Sequence, residues 1–298
     1  MDKIEMQDLV EFNDEFFNAT TKITKIKAPI AEVPYFEPEK IGDAITLKVK
    51  SKVLSTSTIA VTSEVPFKTG NDLMELHNLD IDKTMFEALR NELKSSISNK
   101  VIELLDESGS KFEELFLRTK VQKFFNKYFK SLEFPIYLND ETDISNSLCN
   151  KLMYLVNLIT TKNYYSGRTK YLIVSPQIGS LLSDNINFIR VENNSSFNIT
   201  VPDYIGYLID VKVFINPYFT DNKVIIGSVS NDSPNINIVD YIDSFDCFEM
   251  MNPSYSTVRK YKLDKQCGIA SVGNLDNHVA SININLKKKP LWRRLLCL

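Results

Sequence analysis

The sequence predicts an α+β chain on three observations: an uninterrupted helical pattern over 82–107, a strand-period ribbon from Ile45 to Thr62, and a strand-rich region after Lys170. At 298 residues and 43% hydrophobic, the chain can bury a full core as one large domain or two modest ones.

Residues 1–40 come first, mixing acidic and aromatic residues before Pro29, Pro34 and Pro38. Proline fixes φ and disfavours helix in the residue before it, so this stretch should be extended. With Phe12, Phe16, Phe17, Tyr35 and Phe36 it carries more apolar surface than a solvated tail, and it reads as an arm crossing something else. A disordered terminus is the alternative.

From Ile45 the period is two. Leu47, Val49 and Val53 alternate with Lys48, Lys50 and Lys52, and Ile59 and Val61 alternate with Thr58, Ala60 and Thr62. The pattern predicts a two-stranded ribbon turning near Ser55–Ser57, apolar on one face and rich in Lys and Thr on the other. An isolated hairpin is marginal in water, so it should lie on its own domain or on a neighbouring subunit. An edge hairpin protected by lysines fits the same pattern.

Asp80 and Asp82 then offer caps for a helix whose apolar stripe runs through Met85, Leu89, Leu93, Ile97, Val101, Leu104 and Leu105 until Gly109 stops it. Residues 82–107 would span about 39 Å. Helical patterns recur from Phe112 to Phe129 and from Asp143 to Thr161, and such stripes ordinarily face a core. After Lys170, Tyr171–Val174 reads as a strand, Ser175–Pro176 opens a helix over Ile178–Leu182, and Leu208–Phe214, Lys223–Val229 and Tyr255–Ile269 read as strands.

Composition excludes whole classes of function. The nine glycines form no G-x-G-x-x-G, G-x-x-x-x-G-K-[ST] or G-x-S-x-G pattern, and two distant histidines, His77 and His278, make no H-E-x-x-H. Cys149, Cys247, Cys267 and Cys297 form no C-x-x-C, and the acidic N-terminus has no signal-peptide character, so the chain reads as cytosolic with reduced thiols. No apolar run approaches the roughly 18–20 residues that cross a bilayer, so no membrane partner is expected. A net charge of −3 is far from the basic excess of a DNA-coating protein.

No constellation for catalysis emerges, so no enzyme activity, catalytic residue, metal site or cofactor is expected. Asp240, Asp243, Asp246 and Glu249 recur every third residue, but the intervening Tyr, Ile, Phe and Cys match no calcium loop and predict solvated carboxylates. The segment LKKKPLWRRLLCL sets Lys287, Lys288, Lys289, Arg293 and Arg294 among leucines and Trp292. It suits either anionic lipid or nucleic-acid phosphates, or docking on the same or a neighbouring subunit.

Three stretches together resemble one family. NDLMELHNLDIDKTMFEALRNELKSSISNKVIELLDES, with Asp72, Leu73, His77 and Asp80 leading into Leu89, Glu92, Ile97, Val101, Ile102 and Leu105, resembles the spine-helix region of T-even-type tailed-phage major capsid proteins. KYLIVSPQIGSLLSD is similar to the family's strand, corner and short helix. IGYLIDVKVFINPYFTDNKVIIGSVSND and the later RKYKLDKQCGIAS resemble its hairpin and terminal strand. The similarity covers about half the chain, in order.

The resemblance implies the Hong Kong 97-like capsid fold: an N-terminal arm at 1–42, an extended β-ribbon loop at 43–66, a peripheral domain with the spine helix at 67–110, an axial domain at 111–238, peripheral return strands at 239–285 and a basic tail at 286–298. It implies a structural major capsid protein that self-assembles into hexamers and pentamers of an icosahedral shell around double-stranded DNA. Lys48, Lys50, Lys52, Tyr35 and Phe36 would contact neighbouring subunits. Scaffold, portal and decoration proteins would be partners, with packaged DNA in non-specific proximity, in a virion capsid assembled in the host cytoplasm.

A pentameric vertex protein, an encapsulin-like compartment shell and a cytosolic α+β enzyme or binding protein are the alternatives. The chain is shorter than T-even capsid proteins, which implies that their inserted domain is missing. Ile30, Ala31 and Glu32 resemble the family's maturation cut site, although Val33 follows where a small residue is usual.

Overall fold

The computed structural model describes residues 2–6, 10–41, 44–77, 80–117, 136–138, 141–162, 169–191, 202–219, 222–229, 235–242, 246–251, 258–284 and 286–288. The first half of the chain carries β1 (Asp2–Met6), α1 (Glu15–Thr20), β2 (Thr21–Ile26), β3 (Ile30–Ile41), β4 (Ala44–Ser55), β5 (Ser57–Pro66), α2 (Phe67–His77), α3 (Ile81–Leu117), β6 (Ile136–Leu138) and α4 (Glu141–Lys162). The second half carries β7 (Thr169–Val174), α5 (Pro176–Ser183), β8 (Phe188–Arg190), β9 (Asp203–Leu208), β10 (Val211–Ile215), β11 (Lys223–Val229) and β12 (Asn235–Tyr241). It ends with β13 (Asp246–Met251), β14 (Val258–Val272), a 3₁₀ turn at Leu275–Asn277, β15 (Val279–Asn283) and β16 (Leu286–Lys288).

The long helix forms where the apolar stripe predicts it and starts on its expected cap. Asp80 Oδ1 accepts from the backbone N–H groups of Asp82 and Lys83 at 3.0 and 3.2 Å, satisfying two of the orphan donors. Asp82 is recruited elsewhere, taking a 2.7 Å hydrogen bond from the Tyr261 hydroxyl. Leu89, Leu93, Ile97, Val101 and Leu105 are all buried.

Gly109 does not end the helix, contrary to the expectation, and α3 runs 37 residues. The glycine serves close packing instead. A Cβ there would lie 2.5 Å from the Ser281 nitrogen and 2.9 Å from the Ala280 carbonyl carbon, so only Gly lets the helix lie against β15. Residues 112–117 of the second helical pattern continue α3, and the rest of that pattern lies outside the described residues.

Two six-stranded sheets flank α3. The first has the order β1-β13-β14-β12-β2, with β5 on the other side of β14. The 15-residue β14 organises it, pairing β13 over 260–264, β12 over 267–272 and β5 over 258–267. The second sheet has the order β15-β11-β7-β10-β9-β8.

The second sheet is buried on both faces, so its central strands are continuously apolar. Tyr171, Ile173, Phe214 and Ile225 face the core shared with α3 and the first sheet. Leu172, Val174, Val213, Val224 and Ile226 face the other way, onto Leu148, Leu152 and Ile159 of α4 and Ile178 and Leu182 of α5.

The strand expected over Leu208–Phe214 is a hairpin. β9 and β10 meet in a tight turn at Ile209 and Asp210, where Ile209 takes the left-handed φ of 63°. Glycine or asparagine ordinarily marks such a turn, and neither stands here to announce it.

The N-terminal aromatics also differ from an arm lying on another body. Val10, Phe12, Phe16 and Phe17 are buried in the chain's own core. Phe16 packs edge-on against Phe214 of the second sheet at 5.8 Å, while β2 pairs in parallel with β12 of the first. Two ion pairs fix α1 between them: Asp14 with Lys94 of α3 at 2.9 Å, and Glu15 with Lys212 of β10 at 2.5 Å.

Candidate assembly surfaces

The ribbon is real but is built from different strands than its alternation suggests. β3 pairs antiparallel with β4 in unbroken register from Ile30↔Ser55 to Ile41↔Ala44, so the proline-rich stretch is the ribbon's first strand. At Ser55–Ser57 the chain does not fold back. It leaves the ribbon and enters β5 on the edge of the first sheet. Pro34 and Pro38, four residues apart, suit a two-stranded ribbon because neither strand has a further partner among the described residues.

Directly opposed residues of an antiparallel pair share a face. One face therefore carries Ala31 with Leu54, Val33 with Lys52, Tyr35 with Lys50, and Lys48. Its base is folded onto the first sheet: Val33 and Leu54 bury against Ile26, Val239 and Val272, Tyr35 packs at the margin, and Lys52 Nζ donates to the Ser271 carbonyl at 2.8 Å. Lys48 and Lys50 are exposed on this same face.

The opposite face carries Ile30, Glu32 with Val53, Pro34 with Ser51, and Phe36 with Val49. Here Ile30, Val49 and Val53 are 60%, 67% and 66% exposed, and Phe36 is half-buried. Glu32 accepts a hydrogen bond from Ser51 Oγ across the pair. A shallow, open depression of about 390 Å³ lies beside it, lined by Glu32, Pro34, Val49, Lys50 and Ser51.

The base of the ribbon is tightly made. Thr56 N donates to Pro29 O at 2.9 Å, Gln266 Nε2 donates to Thr56 Oγ1 at 3.2 Å, and a Cβ on Gly268 would come within 2.5 Å of Ser55 O. The ribbon therefore leaves the body from a fixed point while its apolar outer face stays uncovered within the subunit. The predicted contact residues separate accordingly: Lys48, Lys50, Lys52 and Tyr35 lie on the inward face, and Phe36 on the outward one.

Of the basic tail, Lys287 and Lys288 lie in β16, which pairs in parallel with β6; Lys289, Arg293 and Arg294 lie outside the described residues. Asp240 corrects the expectation of solvated carboxylates. It is 5% exposed and forms an ion pair with Lys265 Nζ at 3.1 Å, and that ammonium lies 5.5 Å from the Phe12 ring. Asp240 and Lys265 are far apart in sequence, so no local pattern signals the pair. Asp246 and Glu249 lie on β13, and Asp243 lies outside the described residues.

His278 is buried and burial holds its imidazole down to a pKa of about 4, so it is neutral in the fold. Burial likewise pushes the Cys149 thiol up. Among the described residues no group of His, Cys, Asp and Glu could hold a metal ion, and no helix is long and apolar enough to cross a membrane.

These geometries can be set beside known proteins. No curated protein matches the sequence. A family model described as "Major capsid protein Gp23" matches residues 2–234. Among solved structures, the mature capsid of bacteriophage PhiM1 has a TM-score of 0.51 at 10% identity, covering 93% of this chain and 89% of that one. The virus-like particle from Pyrococcus furiosus has a TM-score of 0.50 at 13% identity, covering 92% and 94%. The capsid of cyanophage P-SCSP1u has a TM-score of 0.50 at 10% identity, covering 91% and 88%. At these identities the likeness is one of fold. The uncovered ribbon, the long helix between two sheets and the family match across residues 2–234 converge: the chain has the Hong Kong 97-like capsid fold and belongs to the family of the major capsid protein Gp23.

Proposed function

We propose that this chain is the structural subunit of a tailed-phage shell and that its mechanism is assembly: identical copies form hexamers and pentamers of an icosahedral capsid around double-stranded DNA. The observation that carries the reading beyond family membership is the outward face of the β3–β4 ribbon. A protein of this size does not ordinarily hold Ile30, Val49 and Val53 in water on a projecting two-stranded sheet, and burying them on a neighbour would supply part of the assembly energy.

The domain assignment follows from this reading. The ribbon reaches over a neighbour, the first sheet with α3 forms the peripheral body, and the second sheet with α4 and α5 forms the axial body meeting its copies at the local symmetry axis; β15, expected among the peripheral return strands of 239–285, pairs with β11 and so goes with the second sheet. Lys48 and Lys50, on the ribbon face opposite Val49 and Val53, would contact that neighbour from the ribbon's other side. Closed rings need one surface of each copy to fit a different surface of the next, and the near-balanced charge suits a shell that must enclose DNA without adhering to it everywhere. Scaffold, portal and decoration proteins are the expected partners, the basic tail is a docking segment, and assembly would take place in the host cytoplasm.

The test is electron microscopy of the purified chain. Shells, tubes or rings are expected, and a chain that stays monomeric at every concentration tried would sink the proposal. Substituting Val49→Asp with Val53→Asp should abolish particles while leaving the melting temperature within a few degrees, because both side chains are exposed in the subunit.

A further inference from the structure

One peptide bond of the ribbon bears on how the chain can be processed. Ile30, Ala31 and Glu32 resemble a cut site in sequence, and an endopeptidase acting after Glu32 would sever residues 1–32 from the rest. To be cut, a bond must enter the protease as a lone extended strand, with several residues on each side free of other partners.

The Glu32–Val33 bond is held on both sides. Glu32 stands opposite Val53 and Val33 opposite Lys52, inside an unbroken ladder that continues to Ile41. Upstream, Pro29 O accepts from Thr56 N at 2.9 Å and from Thr56 Oγ1 at 3.1 Å. The Glu32 carboxylate, which a glutamyl-specific site would have to bind, accepts from Ser51 Oγ. Val33 is 1% exposed and seated with Leu54 on Ile26, Val239 and Val272. Presenting the bond therefore means peeling β3 from β4 and lifting the ribbon's base off the first sheet.

The segment upstream is held independently. Val10, Phe12, Phe16, Phe17 and Ala19 lie in the main core. Thr20 and Thr21 are buried too, and their hydroxyls donate to the Phe16 and Phe17 carbonyls at 2.7 Å, so the last turn of α1 satisfies its own carbonyls while it crosses that core. Asp14 neutralises the buried Lys94 ammonium, and β2 keeps a six-residue parallel register with β12. Severing one bond at residue 32 removes none of these contacts.

We infer that the Glu32–Val33 bond is closed to proteolysis in the folded subunit and that residues 10–32 remain in it as a permanent strap between the two sheets. A shell can be built from trimmed or intact chains alike, so the strap is a property of the subunit separate from its assembly.

The test is digestion of the full folded chain with a glutamyl-specific endopeptidase, followed by intact mass, with a synthetic peptide of residues 26–38 as the reference for the bare sequence. The initial rate of cutting after Glu32 should be at least about a hundredfold slower in the folded chain than in the peptide, because cleavage waits on local opening. Equal rates overturn the closed bond. Any chain that is cut there should still elute as one body with its 1–32 fragment on size exclusion, and a fragment that leaves under native conditions overturns the strap. Neither readout needs the chain to assemble, so failure of the shell-subunit reading and failure of this inference are told apart.

Discussion

Individual residues show how far local chemistry departs from local pattern. Gly109 looks like a helix stop in sequence but permits contact between α3 and the β15 backbone. In an exposed helix Gly→Ala would stabilise by about 1 kcal/mol. Here Gly109→Ala should instead destabilise by roughly 1–3 kcal/mol through overpacking, read as a lower denaturation midpoint in urea. The Asp240–Lys265 pair sits in the core beside Phe12, where an unpartnered charge is costly. Asp240→Leu alone should cost about 3–5 kcal/mol, and the double variant Asp240→Leu with Lys265→Met should cost less than that single change, a difference a double-mutant cycle measures directly.

His278 makes acid stability a residue-scale matter. Its unfolded imidazole takes a proton near 6.5, whereas the folded one resists until about 4. Between those values the unfolded chain binds more protons, so this contribution is present above pH 6.5 and is lost as pH falls towards 4. The loss is on the order of 3 kcal/mol. Melting curves across that window should show His278→Gln with a flatter pH dependence than wild type.

Elements divide into those that sequence periodicity can see and those it cannot. The spine helix, α4, α5, β7 and β11 stand where their apolar spacing puts them, because each buries a continuous face and burial writes its period into the residues. The ribbon shows the limit of this. Alternation in β4 reveals a strand but not its partner, and β3, with two prolines and a third just before it at Pro29, looks like an arm until its register with β4 is known. The turn at Ile209 hides because its residue is one the conformation disfavours. The alternation of β4 makes Lys48 and Lys50 stand out in sequence, but which face of the ribbon they share with Tyr35 is set only by the register with β3.

Element α1 tests the packing directly. Phe16 is 1% exposed and touches both Phe17 and Phe214, linking the N-terminal segment to the second sheet. Phe16→Ala should cost about 3–5 kcal/mol, checked by chemical denaturation of the purified subunit.

Across the whole molecule, the N-terminal segment is part of the body rather than an appendage. Removing residues 1–32 would delete the aromatic cluster of α1 and the whole of β2, together with the three β3 residues Ile30–Glu32 that pair with 53–55. A chain beginning at Val33 should therefore fail to fold, appearing in the insoluble fraction on expression while the full chain remains soluble.

The pairing of the first sheet also sets a clock. Thr21 waits for Ile236, Val65 for Arg259 and Ile4 for Phe248, each about two hundred residues later in synthesis. At ribosomal speeds of about 5–20 residues per second, that wait lasts roughly 10–40 s. The ribbon's own strands are neighbours and can pair at once, but the sheet that receives its base exists only when β14 has emerged. A nascent chain therefore has a ribbon before it has a body to carry it. No copy can present a finished assembly surface until its synthesis is nearly complete, so order in time keeps half-made subunits out of the shell.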